Sequence, residues 1–357
     1  MKILQVCAYA APYEGNFMKS LYHLEHELTK KGHETIYVFP ENTAQRSWCQ
    51  QLAKHHIVYF LPLSRARINP TTYIKLRKIF SAHADIGVVH SHFELYDLPL
   101  AFTTPQKVKL FWHLHDALIP PKQKSRQLLF YFQYKYCSKN TTLLSVADIY
   151  RNELISLGFP SKQAFTIHNG IELSRISLTN PFAPKEYDFL AFVWSNSIKG
   201  CDILLDACKL LDEAEIPFRA LLIGTEETNS EIKKRFPDGA KHIVVSTATE
   251  DINDLFNKTR VFVSASRYET FSYSVCEALY AGLPVISSNI PGLQWASCLP
   301  TITFFESQNV NHLYQEMQAF LTEKSISESQ VAKSREIISQ KFSTQTWTEA
   351  ILDQYGV

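Results

Sequence analysis

The first half of the chain alternates short apolar runs, rich in β-branched and aromatic residues, with longer segments of helical periodicity. Residues 2–7 form the first apolar run, and residues 16–31 carry Phe17, Leu21 and Leu24 on one face of a helix. The other strands predicted in this half are residues 35–39, 56–61, 88–90, 109–113 and 143–146, with a further helix at residues 48–54. This alternation is typical of a parallel sheet covered by helices.

The second half shows the same alternation. Its predicted strands are residues 189–192, 218–223, 242–245, 261–264 and 284–287, and its predicted helices are residues 201–213, 228–236, 250–257 and 274–281. A polar, proline-containing stretch at residues 173–185 lies between the halves. The pattern predicts the α/β class, with two Rossmann-like doubly wound parallel-sheet domains facing a cleft. We expect domains at residues 1–172 and 173–339, and a C-terminal helix at about residues 340–357 that packs back on the first domain.

The composition agrees with two globular domains. The chain has 357 residues, of which 45% are hydrophobic and 20% charged, so each half can bury a core. Seven scattered cysteines without a CxxC spacing indicate reduced thiols in a cytoplasmic protein. The N-terminal apolar run resembles a signal peptide, but Gln5 interrupts it and we expect a buried strand. No run reaches the roughly 18 apolar residues of a membrane span.

The net charge of +1 hides an asymmetry between the halves. Residues 1–175 contain 21 Lys and Arg against 12 Asp and Glu, whereas residues 176–357 contain 15 against 23. Residues 122–139 interleave basic and aromatic residues on a predicted helix, which suits an anionic membrane surface. An ordinary helix with an aromatic core face fits that segment equally well. No nucleic-acid partner is expected, because no recognition motif accompanies the positive charge.

The segment richest in candidate chemistry is residues 264–288. A predicted strand ends at Ser264, and a polar loop leads to a helix that begins near Ser274. The first turn of a helix presents unsatisfied N–H groups and the positive end of the helix dipole, which suits a diphosphate. Glu269 and Glu277 flank that turn, and a carboxylate beside a phosphate site is stable when it accepts hydrogen bonds from ligand hydroxyls. Taken alone, Glu277 fits a solvated helix face.

These residues resemble the signature of retaining GT-B glycosyltransferases of family 4. The positions that match in register are Glu269, Phe271, Glu277, Ala278, Gly282, Pro284, Val285 and Ile286. The resemblance implies that Glu269 and the backbone amides after it hold the donor sugar and its diphosphate, while Glu277 binds the nucleotide ribose. Those amides belong to Thr270, Phe271, Ser272, Tyr273 and Ser274.

Other stretches resemble the same family, in the same order along the chain. They contain Gly15 and Asn16 after the first strand, His115 after a histidine-bearing strand end, Asn169 and Gly170 at the domain junction, and Lys199 before Gly200. By resemblance, Lys199 neutralises the donor phosphate, His115 orients the donor sugar, and the two glycine-containing pairs lie beside the donor. Each of these elements alone is also common in turns.

The sequence departs from the family pattern in its glycines. Asn16 stands where the family has a second glycine, and Thr270 and Ser272 replace glycines of the signature. Backbone N–H donors survive these replacements.

A further departure concerns the phosphate cations. Trp194 stands where the family has an arginine five residues before the lysine, so one of two expected cations is missing. Arg267 is one candidate to replace it. The hydroxyl and amide groups of Ser195 and Asn196 are the other candidates.

The resemblance implies transfer of a sugar from a nucleotide-sugar, with UDP-sugars favoured, to a glycan or lipid-linked acceptor in polysaccharide or glycoconjugate biosynthesis. No DxD-type motif stands out, so we expect no metal and no cofactor besides the co-substrate. We expect a cytoplasmic protein whose basic half contacts the anionic inner face of the membrane. Two alternatives stay open: a nucleotide-sugar epimerase or hydrolase, and a non-catalytic partner or chaperone of a transferase, which Trp194 favours.

Overall fold

The computed structural model describes residues 1–116, 131–137, 140–247, 251–323 and 325–357, without the side chain of Asn196. The chain divides into two compact units. The first contains Met1–Gly170 together with Thr344–Val357, and the second contains Ile171–Ser343. The domain boundaries predicted from the sequence lie after residues 172 and 339.

The first unit is built on a sheet of seven parallel strands in the order β3-β2-β1-β4-β5-β6-β7. The strands are β1 (Lys2–Cys7), β2 (Glu34–Pro40), β3 (Ile57–Leu61), β4 (Ile86–His92), β5 (Lys109–Leu114), β6 (Thr141–Ser145) and β7 (Ala164–Thr166). The labelled helices are α1 (Gly15–Lys30), α2 (Ser47–Leu52), α3 (Pro70–Ala82), α4 (Asp97–Thr103), α5 (Asp148–Ser156) and, from the C-terminal segment, α13 (Thr344–Tyr355). The strand order reverses between β1 and β4, as in doubly wound folds.

The second unit has six parallel strands in the order β10-β9-β8-β11-β12-β13. The strands are β8 (Tyr187–Phe192), β9 (Ala220–Ile223), β10 (Ile243–Ser246), β11 (Thr259–Ser264), β12 (Val285–Asn289) and β13 (Ile302–Glu306). The helices are α6 (Asn196–Lys199), α7 (Cys201–Glu213), α8 (Glu226–Arg235), α9 (Ile252–Lys258), α10 (Tyr273–Ala281), α11 (Val310–Thr322) and α12 (Glu328–Lys341). Here the order reverses between β8 and β11.

The terminal helix α13 completes the first unit by packing against α1. Trp347, Ile351 and Tyr355 recur every four residues and are all buried, so they form one apolar face. That face lies in the same core cluster as Leu24 and Leu28 of α1. The C-terminal segment therefore contributes side chains to the core of the first unit.

The sequence predicted the α/β class, and the structure confirms it. The strand predicted at residues 2–7 is β1, five of whose six residues are buried, so the interpretation as a buried strand is confirmed. Strands β7 and β13 were not predicted, because the former has only three residues and the latter is partly exposed on most positions. All seven cysteines lie in the described part of the chain and are free.

The basic and aromatic segment at residues 122–139 lies largely outside the described residues. Residues 131–136 are helical. Tyr134 is fully buried beside Trp112, whereas Phe132 and Tyr136 are 45% and 54% exposed. The segment therefore has both a core residue and exposed aromatic side chains.

Candidate functional site

Lys199 and Glu269 meet at the carboxyl edge of the second sheet, where the strand order reverses. Lys199 ends α6 just after β8, and Glu269 lies in the loop after β11. The Lys199 Nζ donates to Glu269 Oε1 over 2.5 Å, and Ser266 Oγ donates to the same oxygen over 2.8 Å. The side chains of Lys199 and Glu269 are 14% and 12% exposed. The ion pair is therefore sheltered, but a ligand can reach it.

Close backbone packing explains why a glycine follows Lys199. Gly200 has a φ of +63°, and a Cβ there would lie 2.1 Å from the carbonyl oxygen of Ala265. Beside it, the Arg267 amide donates to the Ile198 carbonyl over 2.8 Å. A residue with a side chain would separate the loop after β8 from the loop after β11. The close packing of the two loops thus explains why glycine follows Lys199 in this chain.

A second glycine supports the loop that carries Glu269. A Cβ at Gly292 would lie 1.8 Å from the carbonyl oxygen of Glu269, so the two backbones are in direct contact. The Ser288 hydroxyl, at the end of β12, donates to the Ser266 carbonyl. No role was predicted for Gly292 or Ser288, because both contacts join residues that only the folded sheet brings together.

Glu277 lies on α10 and is 4% exposed, so the alternative of a solvated helix face is wrong. Its carboxylate accepts a hydrogen bond from Arg175 Nη2 and forms an ion pair with that guanidinium. Arg175 was missed in the sequence, where it is a single arginine 102 positions from its partner. No local pattern marks such a residue.

The start of α10 has an unusual backbone. The helix begins at Tyr273, and the preceding Ser272 has a φ of +62°, in the left-handed region that favours glycine. Phe271 is buried and stacks on Trp295, whose Nε1 donates to the Phe271 carbonyl over 2.7 Å. The predicted donor-binding residues that are partly exposed here are Thr270, Tyr273 and Ser274.

The position of the missing arginine is occupied by an aromatic ring that contacts Lys199. Trp194 is 52% exposed, and its ring centroid lies 5.4 Å from Lys199 Nζ, which is a cation–π distance. Arg267, the predicted substitute, binds both carboxylate oxygens of Asp202 at 2.9 and 2.7 Å. Its charge is therefore already compensated at the start of α7.

Ser195 and Asn196 lie in the turn between β8 and Lys199. The Ser195 Oγ is 3.2 Å from Ser197 Oγ, and the Ser195 carbonyl accepts from the Lys199 amide over 2.7 Å. The backbone of Asn196 begins α6, and its side chain lies outside the described atoms. These two residues therefore shape the turn that presents Lys199.

The first unit gathers four histidines at the carboxyl ends of β4 and β5. His90 and His92 lie on β4, His113 lies on β5, and His115 follows it directly; all four are buried. Neighbouring rings are close, with centroids 4.0 Å apart for His90 and His92 and 4.2 Å apart for His113 and His115. The sequence assigned a role only to His115.

Hydrogen bonds join these rings to one another and to two further buried residues. His92 Nδ1 lies 3.0 Å from His115 Nε2, and His90 Nε2 lies 3.2 Å from His113 Nδ1. The outer contacts are His92 Nε2 to Gln5 Oε1 at 3.0 Å and His90 Nδ1 to the Tyr355 hydroxyl at 2.6 Å. The network therefore connects β1, β4, β5 and α13.

Burial lowers the pKa of every histidine in this network. For His90, His92 and His113 desolvation places the pKa well below the usual 6.5, and neighbouring imidazoles lower it further. Desolvation lowers the pKa of His115 to about 3, and a hydrogen bond with Asn169 opposes that shift. All four imidazoles are therefore neutral at physiological pH.

Within the described residues, His90, His92 and His113 form the one group with atoms near enough to one another to ligate a metal ion. The candidate ligand atoms all lie within 4.8 Å of one another. Each ring already shares a hydrogen bond with a neighbour, and a metal ion would have to replace those bonds.

Of the other residues predicted in the first unit, Asn169 contacts His115, and Gly15 and Asn16 begin the helix whose Phe17 also contacts it. Gly15 begins α1 with a φ of +60°, and Phe17 places its ring 5.2 Å from the His115 ring. Asn169 is buried and hydrogen-bonded to His115, and Gly170 is buried beside it. Asn16 continues the first turn of α1 after Gly15.

Solved structures with the GT-B fold superimpose on the whole chain. A glycosyltransferase from Rickettsia africae has a TM-score of 0.80 at 17% identity, covering 99% of this chain and 97% of that one. Anabaena Alr3699/HepE, solved in complex with UDP and glucose, has a TM-score of 0.77 at 15% identity, covering 100% of this chain and 99% of that one. At such identities the similarity establishes the fold.

Family profiles match both halves. The profile described as "Glycosyltransferase Family 4" matches residues 19–175, and the profile described as "Glycosyl transferases group 1" matches residues 189–323. The chain carries both domains of a GT-B glycosyltransferase. The first profile covers most of the first unit, and the second contains Lys199, Glu269 and Glu277.

Curated relatives of this glycosyltransferase are distant. The amylovoran biosynthesis glycosyltransferase AmsK of Erwinia amylovora is 23% identical over 167 residues, which are 44% of this chain and 41% of AmsK. Across three such relatives the chain spans between 41% and 62% of their length. Among the described residues, no helix has the length and apolar character needed to cross a bilayer.

Proposed function

We propose that this glycosyltransferase moves a sugar from a UDP-sugar to a glycan with retention of the anomeric configuration, in polysaccharide or glycoconjugate biosynthesis. The observation that carries the proposal is the Lys199–Glu269 pair beside the first turn of α10, at the point where the strand order reverses. Ligands of doubly wound sheets bind at such a point. The UDP complex of HepE supports the donor, and the name of AmsK supports the pathway.

The Lys199–Glu269 pair suits a donor that carries both phosphate and hydroxyl groups. Without a ligand, the Glu269 carboxylate, which also accepts from the Ser266 hydroxyl, compensates the Lys199 ammonium. In the proposed complex the donor diphosphate takes the ammonium as its partner, and sugar hydroxyls donate to the Glu269 carboxylate. Lys199 and the first amides of α10 then stabilise the negative charge that develops on the leaving diphosphate. The scheme needs neither a metal ion nor a cofactor.

Arg175 is the proposed second cation, in place of the arginine that Trp194 replaces. It pairs with the buried Glu277 carboxylate, and a buried carboxylate requires such a partner. Glu277 is proposed to accept hydrogen bonds from the ribose hydroxyls. Arg267 is less suited to phosphate because Asp202 binds both arms of its guanidinium.

For the first unit, we assign His115 to contact with the donor sugar. Because burial keeps this ring neutral, it acts as a hydrogen-bonding group and not as a cation. Gly15, Asn16, Asn169 and Gly170 are proposed to line the same region, by their positions around His115.

Sugar transfer is tested by turnover of a panel of nucleotide-sugars with glycan acceptors. Glu269→Ala and Lys199→Ala are each expected to reduce kcat by about 100-fold or more while the circular dichroism spectrum stays unchanged. Glu231→Gln is the matched control, because Glu231 pairs with Lys234 and Arg235 away from the site. Unchanged turnover in both site variants would rule out the assigned roles.

The same assay separates the remaining alternatives. The anomeric configuration of the product, read by NMR, decides between retention and inversion. Donor turnover without an acceptor would instead indicate a hydrolase or epimerase. Donor binding with no turnover for any acceptor would indicate a non-catalytic partner of another transferase.

The acceptor is proposed to be a glycan, including a glycan linked to a lipid at a membrane surface. Support comes from the excess of basic residues in positions 1–175 and from the exposed rings of Phe132 and Tyr136. Co-sedimentation with anionic vesicles at low salt tests the membrane contact, with neutral vesicles as the control. Equal sedimentation with both would contradict it.

A further inference from the structure

Gln5 lies at the centre of the histidine network of the first unit. It is 1% exposed, and its amide has a partner at each end. The Gln5 Oε1 lies 3.0 Å from His92 Nε2, and the Gln5 Nε2 donates to the Tyr355 hydroxyl over 3.2 Å. Two arms of hydrogen bonds therefore start at Gln5, one leading to His115 and the other to His113.

In the arm that leads to His115, Gln5 determines the direction of the two hydrogen bonds that join Gln5 to His92 and His92 to His115. An amide oxygen only accepts, so the proton of the neutral His92 ring lies on Nε2. His92 Nδ1 is then a bare lone pair, 3.0 Å from His115 Nε2. Since that contact needs one proton, His115 carries its proton on Nε2. The Nδ1 of His115 then carries no proton, and Asn169 is a further hydrogen-bond partner of the same ring.

The second arm follows the same rule. Tyr355 accepts from Gln5 and donates its own proton to His90 Nδ1 over 2.6 Å. His90 Nε2 then donates to His113 Nδ1 over 3.2 Å. His113 Nε2 ends the arm, buried and with no hydrogen-bond partner among the described residues. Turning the Gln5 amide by half a turn would exchange donor and acceptor in each hydrogen bond of both arms, because each neutral ring holds a single proton.

We propose that Gln5 is a positioning residue that sets the tautomer of His115 through His92. In the observed orientation, His115 offers a lone pair on Nδ1, which accepts a hydrogen bond from a sugar hydroxyl. With the amide turned, the same atom would carry a proton and could only donate. The inference rests on the donor contact proposed for His115, but the tautomer can be measured without any turnover.

The direct test is the nitrogen spectrum of the imidazoles in ¹⁵N-histidine-labelled full-length protein. Protonated and bare ring nitrogens have well-separated shifts, and His115→Gln assigns the signals by their loss. We expect wild-type His115 to be protonated on Nε2 alone. Gln5→Met, which keeps the length of the side chain but removes the amide, is expected to give a mixture of both tautomers at His115.

The matched control is His113→Phe, which removes the end of the other arm and leaves the contact between Gln5 and His92 intact. We expect His115 to keep its proton on Nε2 in this variant. A wild-type His115 protonated on Nδ1, or a Gln5→Met protein with the wild-type tautomer, would overturn the proposal. If Gln5→Met does not fold, Gln5→Asn, whose shorter amide cannot span both partners, replaces it with the same expectation.

Kinetics give a second measurement, and it distinguishes a positioning role of Gln5 from a purely structural one. In Gln5→Met, kcat is expected to fall by about tenfold while KM for the donor stays within about threefold, because the fold is kept but the ring has the wrong proton. His113→Phe is expected to keep kcat. If wild-type protein turned over no donor while the spectra behaved as expected, the proposed function would fail and the role of Gln5 would stand.

Discussion

The side chains at the carboxyl edges of the two sheets differ in charge. In the first unit, four buried histidines, Gln5 and Tyr355 form a network of neutral groups. In the second unit, Lys199, Arg175 and Arg267 are each paired with a carboxylate. Apart from Tyr355, the network lies in the half of the chain with excess positive charge and is nevertheless neutral. The second unit, which apart from Ile171–Arg175 lies in the half with excess negative charge, brings cations to its site.

This contrast shows that the net charge of a domain does not predict the charge at its site. Surface residues set the net charge, whereas burial sets the ionisation of a buried group. A neutral network can position a sugar by hydrogen bonds without attracting ions. Compensated ion pairs, by contrast, can exchange partners with an anionic ligand at little desolvation cost.

Acid should produce the largest difference between the two units. The folded pKa of each network histidine lies below the unfolded value of about 6.5, so the unfolded state binds more protons as the pH falls below 6.5. His115 therefore contributes fully above about pH 6.5 and loses its contribution down to about pH 3, and the other three histidines lose theirs in the same direction as the pH falls below 6.5. The expected loss is about 1.4 kcal/mol per pH unit for each histidine, or about 6 kcal/mol for four at pH 5.5.

Hydrogen exchange at pH 7 and pH 5.5, corrected for intrinsic rates, measures this difference strand by strand. The amides of β4 and β5 should lose protection well before those of β11 and β12. His113→Phe should reduce the pH dependence by about one quarter, because one of four histidines is gone. An equal loss of protection in both sheets would contradict the contrast.

Removal of Arg175 should give the largest mutational effect in the second unit. Arg175→Met leaves the Glu277 carboxylate buried without its cation, which is expected to cost about 3–5 kcal/mol in the free energy of unfolding. Arg175→Met combined with Glu277→Met should recover most of that loss. Urea unfolding measures both variants.

Arg219→Met is the control for that experiment. Arg219 is half exposed and lies 3.8 Å from Glu186, so its loss should change stability by less than about 1 kcal/mol. Similar losses for Arg175→Met and Arg219→Met would mean that the buried pair has no special role.

Gly292→Ala tests the backbone that supports Glu269. The added Cβ would lie 1.8 Å from the Glu269 carbonyl, so the loop must move, at an expected cost of about 3 kcal/mol together with weaker donor binding. Gly87→Ala in β4 is the control, because its Cβ meets first the flexible end of the Met1 side chain. Thermal unfolding with and without UDP would show no difference between the two variants if the contact were unimportant.

The smallest expected effect is at Ser272. Ser272→Gly should stabilise the second unit by about 0.5–1 kcal/mol, since glycine adopts the positive φ of +62° without strain. Ser274→Gly, at the second residue of α10, should destabilise the second unit by a similar amount. Differential scanning calorimetry reads both, and a loss of stability in Ser272→Gly would show that the hydroxyl outweighs the strain.

The sequence alone determined the repeated alternation of strands and helices, and with it the α/β class. It also marked Glu269 and Glu277, because a strand end and the first turn of a helix are local features that periodicity reveals. The resemblance to the family added Lys199 and His115 and connected these residues to a sugar donor.

The tertiary structure alone decided which groups are partners. Arg175 reaches Glu277 across 102 positions, and Tyr355 reaches His90 across 265, through a C-terminal helix that joins the first unit. Such pairs depend on the order of strands in the sheet, which hydrophobic periodicity does not encode. The same order buries the histidines, so it decides that one edge is neutral and the other is built from ion pairs.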